Sequence, residues 1–395
     1  MAAWQRQALI AGAVGVVVCL LGLALPDTRA TFFRAWLVGV NLVLGIGVGS
    51  LALLMMQWLT GGAWGYALRR PLEAATRTFP ALLVLFLPVL LGLPLLYEWA
   101  DPAAVADNVN LQHKAPYLNV PFVIGRLVIY FAIWGGLAWL LNGWSRRQDE
   151  SRDRSLFDRC ATLSGPGLVL IVLSITFYSI DYLMSLEPEW YSTIYGPMIG
   201  IGQVLSAFCF AVSVFILVSD RPPLDQVAVP QTLRDFGSLM LAFVMVWAYM
   251  SFMQFLLIWS GNLPEEVPWY LARLQGGWQY AALALVFFHF ALPFALLLSV
   301  DIKRNRRRLL RVAGMVLVMR MIDLLWLIVP AFHHHHDAEH SGGIGAVLGG
   351  LLYPAALIGI GGLWLAYYFY QLQRMPLLPV LNPGEEVTNH GAAAH

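Results

Sequence analysis

The sequence predicts an all-α integral membrane protein with about ten transmembrane helices, and three features of the chain support this fold class. Its 395 residues are 59% hydrophobic and only 12% charged, whereas an ordinary soluble domain is about 25% charged. Apolar runs of about 20 residues, long enough to cross a bilayer as a helix, recur along the chain. The net charge of +1 gives no reason to expect a nucleic-acid partner.

The apolar runs define ten predicted spans. In chain order they cover residues 8–25, 35–60, 78–98, 121–143, 161–186, 194–218, 235–260, 276–300, 309–331 and 343–371. Span 1 has the length of a signal peptide, but no cleavage-site pattern follows it, so we predict that it is retained. We expect two four-helix bundles, formed by spans 2–5 (residues 31–193) and spans 6–9 (194–332). Residues 1–30 and 333–395 then supply flanking helices, the latter with an outer loop and a tail.

Basic residues predict the orientation. The N-terminus, the loops after spans 2, 4, 6 and 8, and the C-terminal tail carry most of the arginines and lysines, including Arg69, Arg70 and Arg77. The positive-inside rule places this side, with both termini, in the cytoplasm. The run DIKRNRRR at 301–308 is then expected to anchor at lipid headgroups. The loop FHHHHDAEH at 332–340, with His333–His336, falls outside; a loop without fixed geometry does not predict a metal site.

Cysteine and histidine usage argues against metal cofactors held by this chain. Cys19, Cys160 and Cys209 are far apart and form no CxxC pair, which an iron–sulfur site would favour. Of nine histidines, only His289 lies well inside an apolar segment, whereas a membrane-embedded haem with two histidine ligands needs two at matched depth. We therefore expect the electron carriers of any redox function to belong to partner proteins.

Span 5 contains a charge that requires explanation, because a charged side chain at mid-bilayer costs about 2.5–3.5 kcal/mol. Ser174, Tyr178, Asp181 and Ser185 share one helical stripe, which must face protein or water, and Glu187 lies just beyond it. Arg126 on span 4, at a similar depth, is the predicted counter-charge. Two interpretations stay open: a buried ion pair that fixes helix packing, or a role in proton or quinol chemistry.

Span 9 carries Arg320 and Asp323 at i and i+3, so the two can pair within the helix. The antiparallel span 8 places His289 at about the same depth. An acid, a base and a group that titrates near neutrality are what a proton relay requires. The alternative for His289 is a packed hydrogen-bond donor. Three further polar residues are expected either to line this pathway or to form hydrogen bonds between helices: Gln203, Ser251 and Gln254.

A short internal repeat relates the two bundles. IDYLMSLEP at 180–188 and IDLLWLIVP at 322–330 share Ile-Asp, a leucine two residues after the aspartate and a proline seven residues after it. Both segments close a span that runs outward. The repeat predicts that Asp181 and Asp323 are counterparts in two bundles.

Four segments carry a resemblance to a known family: SIDYLMSLEPEWYSTIYG, WAYMSFMQFLLIWSGNLPEEVPWY, HFALPFALLLSVDIKRN and MIDLLWLIVP. From span 5 to span 9 the chain resembles the second large membrane subunit (the F subunit) of bacterial alternative complex III, a quinol:cytochrome c oxidoreductase. The resemblance implies a polysulfide-reductase-type (NrfD-type) fold in the bacterial inner membrane. The family's motif residues are Asp181, Glu187, Asn262, Glu265, Glu266, His289 and Asp323, whereas Arg320 departs from its pattern.

The resemblance also implies partners and cofactors. The expected partners are a related ten-span membrane subunit that oxidises quinol, a periplasmic iron–sulfur subunit, multihaem and monohaem cytochromes c, and small anchoring subunits. Haem and iron–sulfur clusters would belong to those partners, and quinol or menaquinol is the small molecule to expect. This chain is then a non-redox subunit, not catalytic alone, that scaffolds the sister subunit and contributes to proton translocation. From the buried charges we predict that the proton pathway uses Asp323, His289, Arg320, Asp181, Glu187 and Arg126.

Two other classes of function stay open at this point. In one, the chain itself binds quinol near the outer surface, with Asp181 or His289 accepting a proton and Tyr182, Trp190 and Tyr191 stacking on the ring. In the other, it is a free-standing secondary transporter built from parallel repeats, although no broken-helix substrate site is evident. A purely structural partner of the sister subunit is the simplest alternative.

Overall fold

The structure, a computed structural model, describes residues 1–332 and 344–380, and this part of the chain contains helices and turns without a strand. Nine helices in it are long and apolar enough to cross a membrane, and one bent pair makes a tenth span. The predicted fold class is therefore confirmed. The bounds of the unbroken spans, numbered as in the prediction, are Ala2–Ala24, Arg29–Thr60, Val120–Ser151, Ser155–Tyr182, Tyr195–Val218, Pro230–Gly261, Trp278–Leu298, Arg306–Ile328 and Ile344–Leu372.

Span 3 is the bent pair, and here the structure differs from the prediction. The helices Ala63–Thr76 and Phe79–Leu91 meet at 44°, whereas residues 61–77 were expected to be a loop before a single span. The second arm has 13 residues, so at about 1.5 Å per residue it cannot cross about 30 Å of hydrocarbon by itself. The first arm is almost wholly buried despite Arg69, Arg70 and Glu73.

Local sequence explains several helix ends. Gly61 and Gly62 both adopt positive φ, a conformation that favours glycine, and separate span 2 from the first arm of span 3. Span 4 begins at the cap Asn119, whose side chain accepts from the Phe122 N–H at 3.0 Å. Span 7 ends at Asn262 in the left-handed region (φ 46°).

Two four-helix bundles form around adjacent helices. Spans 2, 3, 4 and 5 contact one another in a ring, and spans 6, 7, 8 and 9 do the same. Spans 2 and 6 pack together where the bundles meet, so span 2 is buried along nearly its whole length.

The two flanking helices, spans 1 and 10, pack closely against each other and then against span 2. Glycines allow the backbones of these two helices to approach each other closely. A Cβ built on Gly15 would lie 2.5 Å from the Gly359 nitrogen, and one on Gly12 would lie 2.5 Å from the Leu363 nitrogen. Small residues commonly allow such backbone contact between membrane helices.

We call the side that holds the ends of spans 2, 4, 6 and 8 the basic side and the opposite side the far side. Short segments cover the far side. Residues 97–119, with helices Pro102–Asp107 and Val109–Lys114, lie over the first bundle, and the Tyr97 hydroxyl donates to the Tyr182 carbonyl at 2.9 Å. Helix Val267–Arg273 covers the second bundle. These covers limit access to the polar clusters beneath them.

Candidate functional site

The first polar cluster surrounds Asp181 in the first bundle. Its two carboxylate oxygens accept hydrogen bonds from Arg126, both at 2.8 Å, and the Tyr130 hydroxyl donates a third at 2.7 Å. Arg126 also donates to the Tyr117 carbonyl at 3.1 Å, and its guanidinium lies against the rings of Tyr117 and Phe122. The predicted counter-charge is present, so both buried charges are compensated.

Two tyrosines in the covering segment lie over this cluster. Burial and the nearby Asp181 carboxylate raise the pKa of Tyr117 to about 12, and burial raises the pKa of Tyr97 well above its ordinary value. Both hydroxyls are therefore neutral at physiological pH. They present a neutral, polar cover to the ion pair.

The predicted stripe on span 5 faces the bundle interior, since Ser174, Tyr178, Asp181 and Ser185 are all buried. Each has a specific partner. Ser174 Oγ accepts from the Trp134 indole at 2.8 Å, and Tyr178 donates to Asn41 Oδ1 at 2.8 Å. Ser185 donates to the Asp181 carbonyl at 2.5 Å and so stabilises the end of the helix.

Span 4 continues the polar path toward the basic side. Its polar and aromatic residues lie on one face, three or four positions apart except for the eight positions from Trp134 to Asn142: Arg126, Tyr130, Trp134, Asn142, Ser145 and Asp149. The Asn142 amide donates to Thr76 Oγ1 at 2.9 Å. The stripe therefore connects the Asp181 cluster with a second group of charges at the opposite end of the bundle.

That second group centres on Glu73, which is buried. Glu73 accepts from Arg70 at 2.6 Å and from Ser145 at 2.5 Å, and Arg77 lies 3.5 Å away. Arg70 also pairs with Asp149 of span 4. The sequence predicted a basic loop at these arginines instead of this network, in which the paired charges compensate one another within the buried first arm of span 3.

A separate cluster lies in the second bundle. Arg320 pairs with Asp323 one helical turn away, as predicted, and both are buried. The Trp247 indole of span 7 also interacts with the Asp323 carboxylate. Arg320 lies against Gly202 of span 6, where a Cβ would be 2.4 Å from its guanidinium. Glycine at this position makes room for the buried cation.

His289 packs beside this pair. Its ring lies edge-on to Trp247 at 4.2 Å between centroids, and Arg320 is near enough to interact with it electrostatically. Neither ring nitrogen has a hydrogen-bond partner among the described residues. The backbone widens to a π-helix at Leu285–Ala291, just before Pro293. Because Pro293 has no N–H, the His289 carbonyl lacks its usual helical donor.

Two residues that were not predicted from the sequence, Tyr195 and Arg273, lie between the second cluster and the far side. Tyr195 is buried and near enough to interact electrostatically with Asp323, Arg320, Glu187 and Arg273. Arg273 lies 2.8 Å from Glu187 and donates to the Trp269 and Leu327 carbonyls. Burial lowers the pKa of Arg273 from its usual value, an effect that Glu187 opposes.

The two aspartates of the predicted relay therefore belong to different clusters. The partners of Asp181 come from span 4 and the 97–119 cover, whereas those of Asp323 come from spans 6, 7 and 9. Glu187, unlike Asp181, shares a neighbour with Asp323, because Tyr195 interacts electrostatically with both carboxylates. The internal repeat thus places one buried aspartate–arginine pair in each bundle.

A cavity of about 700 Å³ opens beside the second cluster between spans 7, 8 and 9. Asp323 and Ser251 form part of its wall. The remaining lining is almost wholly apolar, and its aromatic residues are Trp247, Tyr249, Phe252, Phe255, Trp269, Tyr270, Phe290 and Trp326. An apolar chamber with one acidic group has the composition of a site for a ring-bearing hydrophobic ligand.

The three aromatics predicted to face a quinol do not share one surface. Tyr182 is buried in the first bundle and stacks on Tyr178 at 5.2 Å. Trp190 stacks on Trp269 at 4.7 Å beneath the far-side cover, while Tyr191 is exposed. Tyr182 and Trp190 therefore contribute to packing in two separate regions of the protein.

The other predicted residues lie in several environments. Gln254 accepts from Ser192 at 2.6 Å, which makes it a link between helix and loop. Gln203 is buried where spans 2 and 6 meet, against Gly45. The family-motif residues of the NLPEE turn are at the far-side surface, away from both clusters: Asn262, Glu265 and Glu266.

Among residues 1–332 and 344–380, no group of three or more histidines, cysteines, aspartates and glutamates could hold a metal ion. Cys19, Cys160 and Cys209 are buried separately. The run His333–His336 lies outside the described residues, so the prediction made for that loop stays a prediction. No protein-family model matches the chain, and no curated protein matches it.

Proposed function

We propose that this chain is a non-redox transmembrane subunit of a bacterial quinol:electron-acceptor oxidoreductase of the alternative complex III type. In this proposal it carries a proton pathway across the inner membrane and scaffolds a quinol-oxidising sister subunit. The observation that carries the proposal is the cluster of Asp323, Arg320 and His289, with Tyr195 leading to Glu187. Ionisable residues inside a membrane bundle are candidates for a functional site, and chains of Asp, Glu and His form the proton relays of pumps and transporters.

The geometry suggests how a proton would move through the second bundle. Asp323 accepts the proton from the basic side, which weakens its pairing with Arg320. The Tyr195 hydroxyl, which can accept and donate in turn, then transfers a proton toward Glu187. Arg273 holds the Glu187 carboxylate in place at 2.8 Å, and Glu187 then releases the proton on the far side.

In this scheme the Asp181 pair has a different role from that expected of it. Arg126 and Tyr130 saturate its carboxylate, and Glu73 anchors the opposite end of the same bundle. Because both oxygens of the Asp181 carboxylate have donors, we expect the first bundle to be rigid, as a surface for docking the sister subunit requires. The first bundle is then the scaffold and the second bundle the proton pathway.

A tag on this chain, followed by purification from native membranes in mild detergent, tests the proposal. The expected result is co-purification of a second ten-span membrane subunit, an iron–sulfur protein and multihaem cytochrome c in fixed ratio. Mass spectrometry identifies the proteins, and haem and iron assays give the stoichiometry. A chain that emerges alone, colourless and without iron would contradict the proposal and favour the secondary transporter.

One observation favours a second candidate, in which the chain itself binds quinol. The apolar cavity of about 700 Å³ has Asp323 in its wall, and much of its lining comes from spans 7 and 8. Asp323, instead of the Asp181 or His289 named from the sequence, would then face the quinol hydroxyl. Quinone extracted with the purified chain, and lost in Asp323→Asn, would support this function; equal quinone in both would exclude it.

A further inference from the structure

A second cavity, of about 630 Å³, lies at the basic side between the bend of span 3, span 4 and the end of span 10. Three arginines from three parts of the chain converge on it: Arg77 in the bend of span 3, Arg146 on span 4 and Arg374 just after span 10. Asn142 stands between them and accepts from Arg77 Nε at 3.2 Å. None of the residues described as lining this cavity is acidic.

The arginines have partners, but they keep an excess of positive charge. Arg77 lies 3.5 Å from Glu73, a carboxylate it shares with Arg70. Arg146 forms an exposed pair with Glu150 at 3.2 Å, which contributes little in water. Arg374 rests on the ring of Tyr370, with 4.1 Å between guanidinium and centroid, and donates to its hydroxyl.

The walls of this cavity are apolar and open sideways toward the lipid. Phe79 and Phe131, both buried, form the inner wall. Leu83 and Trp139 form the outer edge, and their exposed fractions of 41% and 76% mean that bilayer hydrocarbon can reach the cavity. Cationic groups at headgroup depth therefore stand directly above a surface suited to an acyl chain.

We propose that this cavity binds one anionic phospholipid, with its phosphate held by Arg77, Arg146 and Arg374 and an acyl chain lying against Trp139. Arginine suits a phosphate because its guanidinium can donate two parallel hydrogen bonds. Basic pockets between membrane helices bind anionic headgroups for this reason. The bound lipid joins spans 3, 4 and 10, and so ties the flanking helix to the first bundle.

The full-length chain, purified in neutral detergent with any proteins that stay bound, provides the test. Native mass spectrometry counts bound lipid during titration with phosphatidylglycerol, phosphatidylcholine or inorganic phosphate. The test variant is Arg146→Gln with Arg374→Gln, which changes exposed side chains at the rim. Its matched control is Arg307→Gln with Arg308→Gln, two exposed arginines on the same side that do not line the cavity.

We expect one phosphatidylglycerol bound in preference to phosphatidylcholine, and a tenfold to thirtyfold weaker affinity in the test variant, at about one kcal/mol for each basic residue. The control should keep the parent affinity. Trp139→Ala should weaken lipid binding without changing the response to phosphate. Equal binding of both lipids, an equal loss in the control, or full competition by millimolar phosphate would each overturn the proposal; the last would indicate a free-anion site.

Discussion

Replacing Asp181 by leucine removes the acceptor at the centre of the first cluster. Arg126 would lose both of its 2.8 Å bonds to the carboxylate and keep the Tyr117 carbonyl and two aromatic rings. Tyr130 would lose the acceptor of its 2.7 Å bond. The variant therefore leaves a buried cation without its counter-charge.

The size of this effect follows from burial. The Asp181 side chain is fully buried and that of Arg126 is 10% exposed, so water compensates the isolated guanidinium poorly. Breaking a buried pair by removing one partner costs about 3–5 kcal/mol. Removing both charges, with Arg126→Met and Asp181→Leu together, should cost less than Asp181→Leu alone. We expect a coupling energy of about 2 kcal/mol or more between the two sites.

The measurement is the free energy of unfolding of the purified chain, obtained by titration with a denaturing detergent for the parent, both single variants and the double variant. Asp153→Asn, at an exposed loop position, is the control and should change little. A loss below about 1 kcal/mol in Asp181→Leu, or a double variant as unstable as the sum of the singles, would refute a buried and mutually compensating pair.

Three further predictions concern packing and the two ends of the bundles. Gly15→Leu should destabilise the chain by about 1–3 kcal/mol, because its side chain would meet the backbone of Gly359, whereas Gly361→Leu, with open space around it, should be tolerated in the same melting assay. Glu73→Gln should cost about 3 kcal/mol or more by chemical unfolding, because the buried Arg70 and the partly buried Arg77 lose their shared carboxylate. Arg273→Met should loosen the far-side cover, since three acceptors lose their donor, and limited proteolysis of residues 262–277 should become faster.

The sequence predicted the long spans well, because hydropathy identifies a helix that must satisfy its own backbone in lipid. It failed at residues 63–76, where Arg69, Arg70 and Glu73 interrupt the apolar pattern. Those charges are satisfied by one another and by span 4, a compensation that hydropathy does not register. The Arg70–Glu73 spacing of three residues was the signal that a helix would form there.

The candidate site could be predicted in part. Pairing of Arg320 with Asp323, and of Arg126 with Asp181, followed from spacing and depth because a membrane leaves few alternatives to pairing. The role of Arg273 could not be deduced, since an arginine in a short loop helix is usually solvated. Tyr195 gave no signal either, because only the packing of span 6 against span 9 brings it near the charged residues.

Proton translocation by the second bundle is the central claim, and one measurement tests it most directly. The intact complex is reconstituted in vesicles, and protons moved per quinol oxidised are counted for the parent, Asp323→Asn and the exposed control Asp301→Asn. We expect Asp323→Asn to lower this ratio while electron transfer to cytochrome c continues, and Asp301→Asn to leave both unchanged. An unchanged ratio in Asp323→Asn would contradict the account and leave the chain a scaffold.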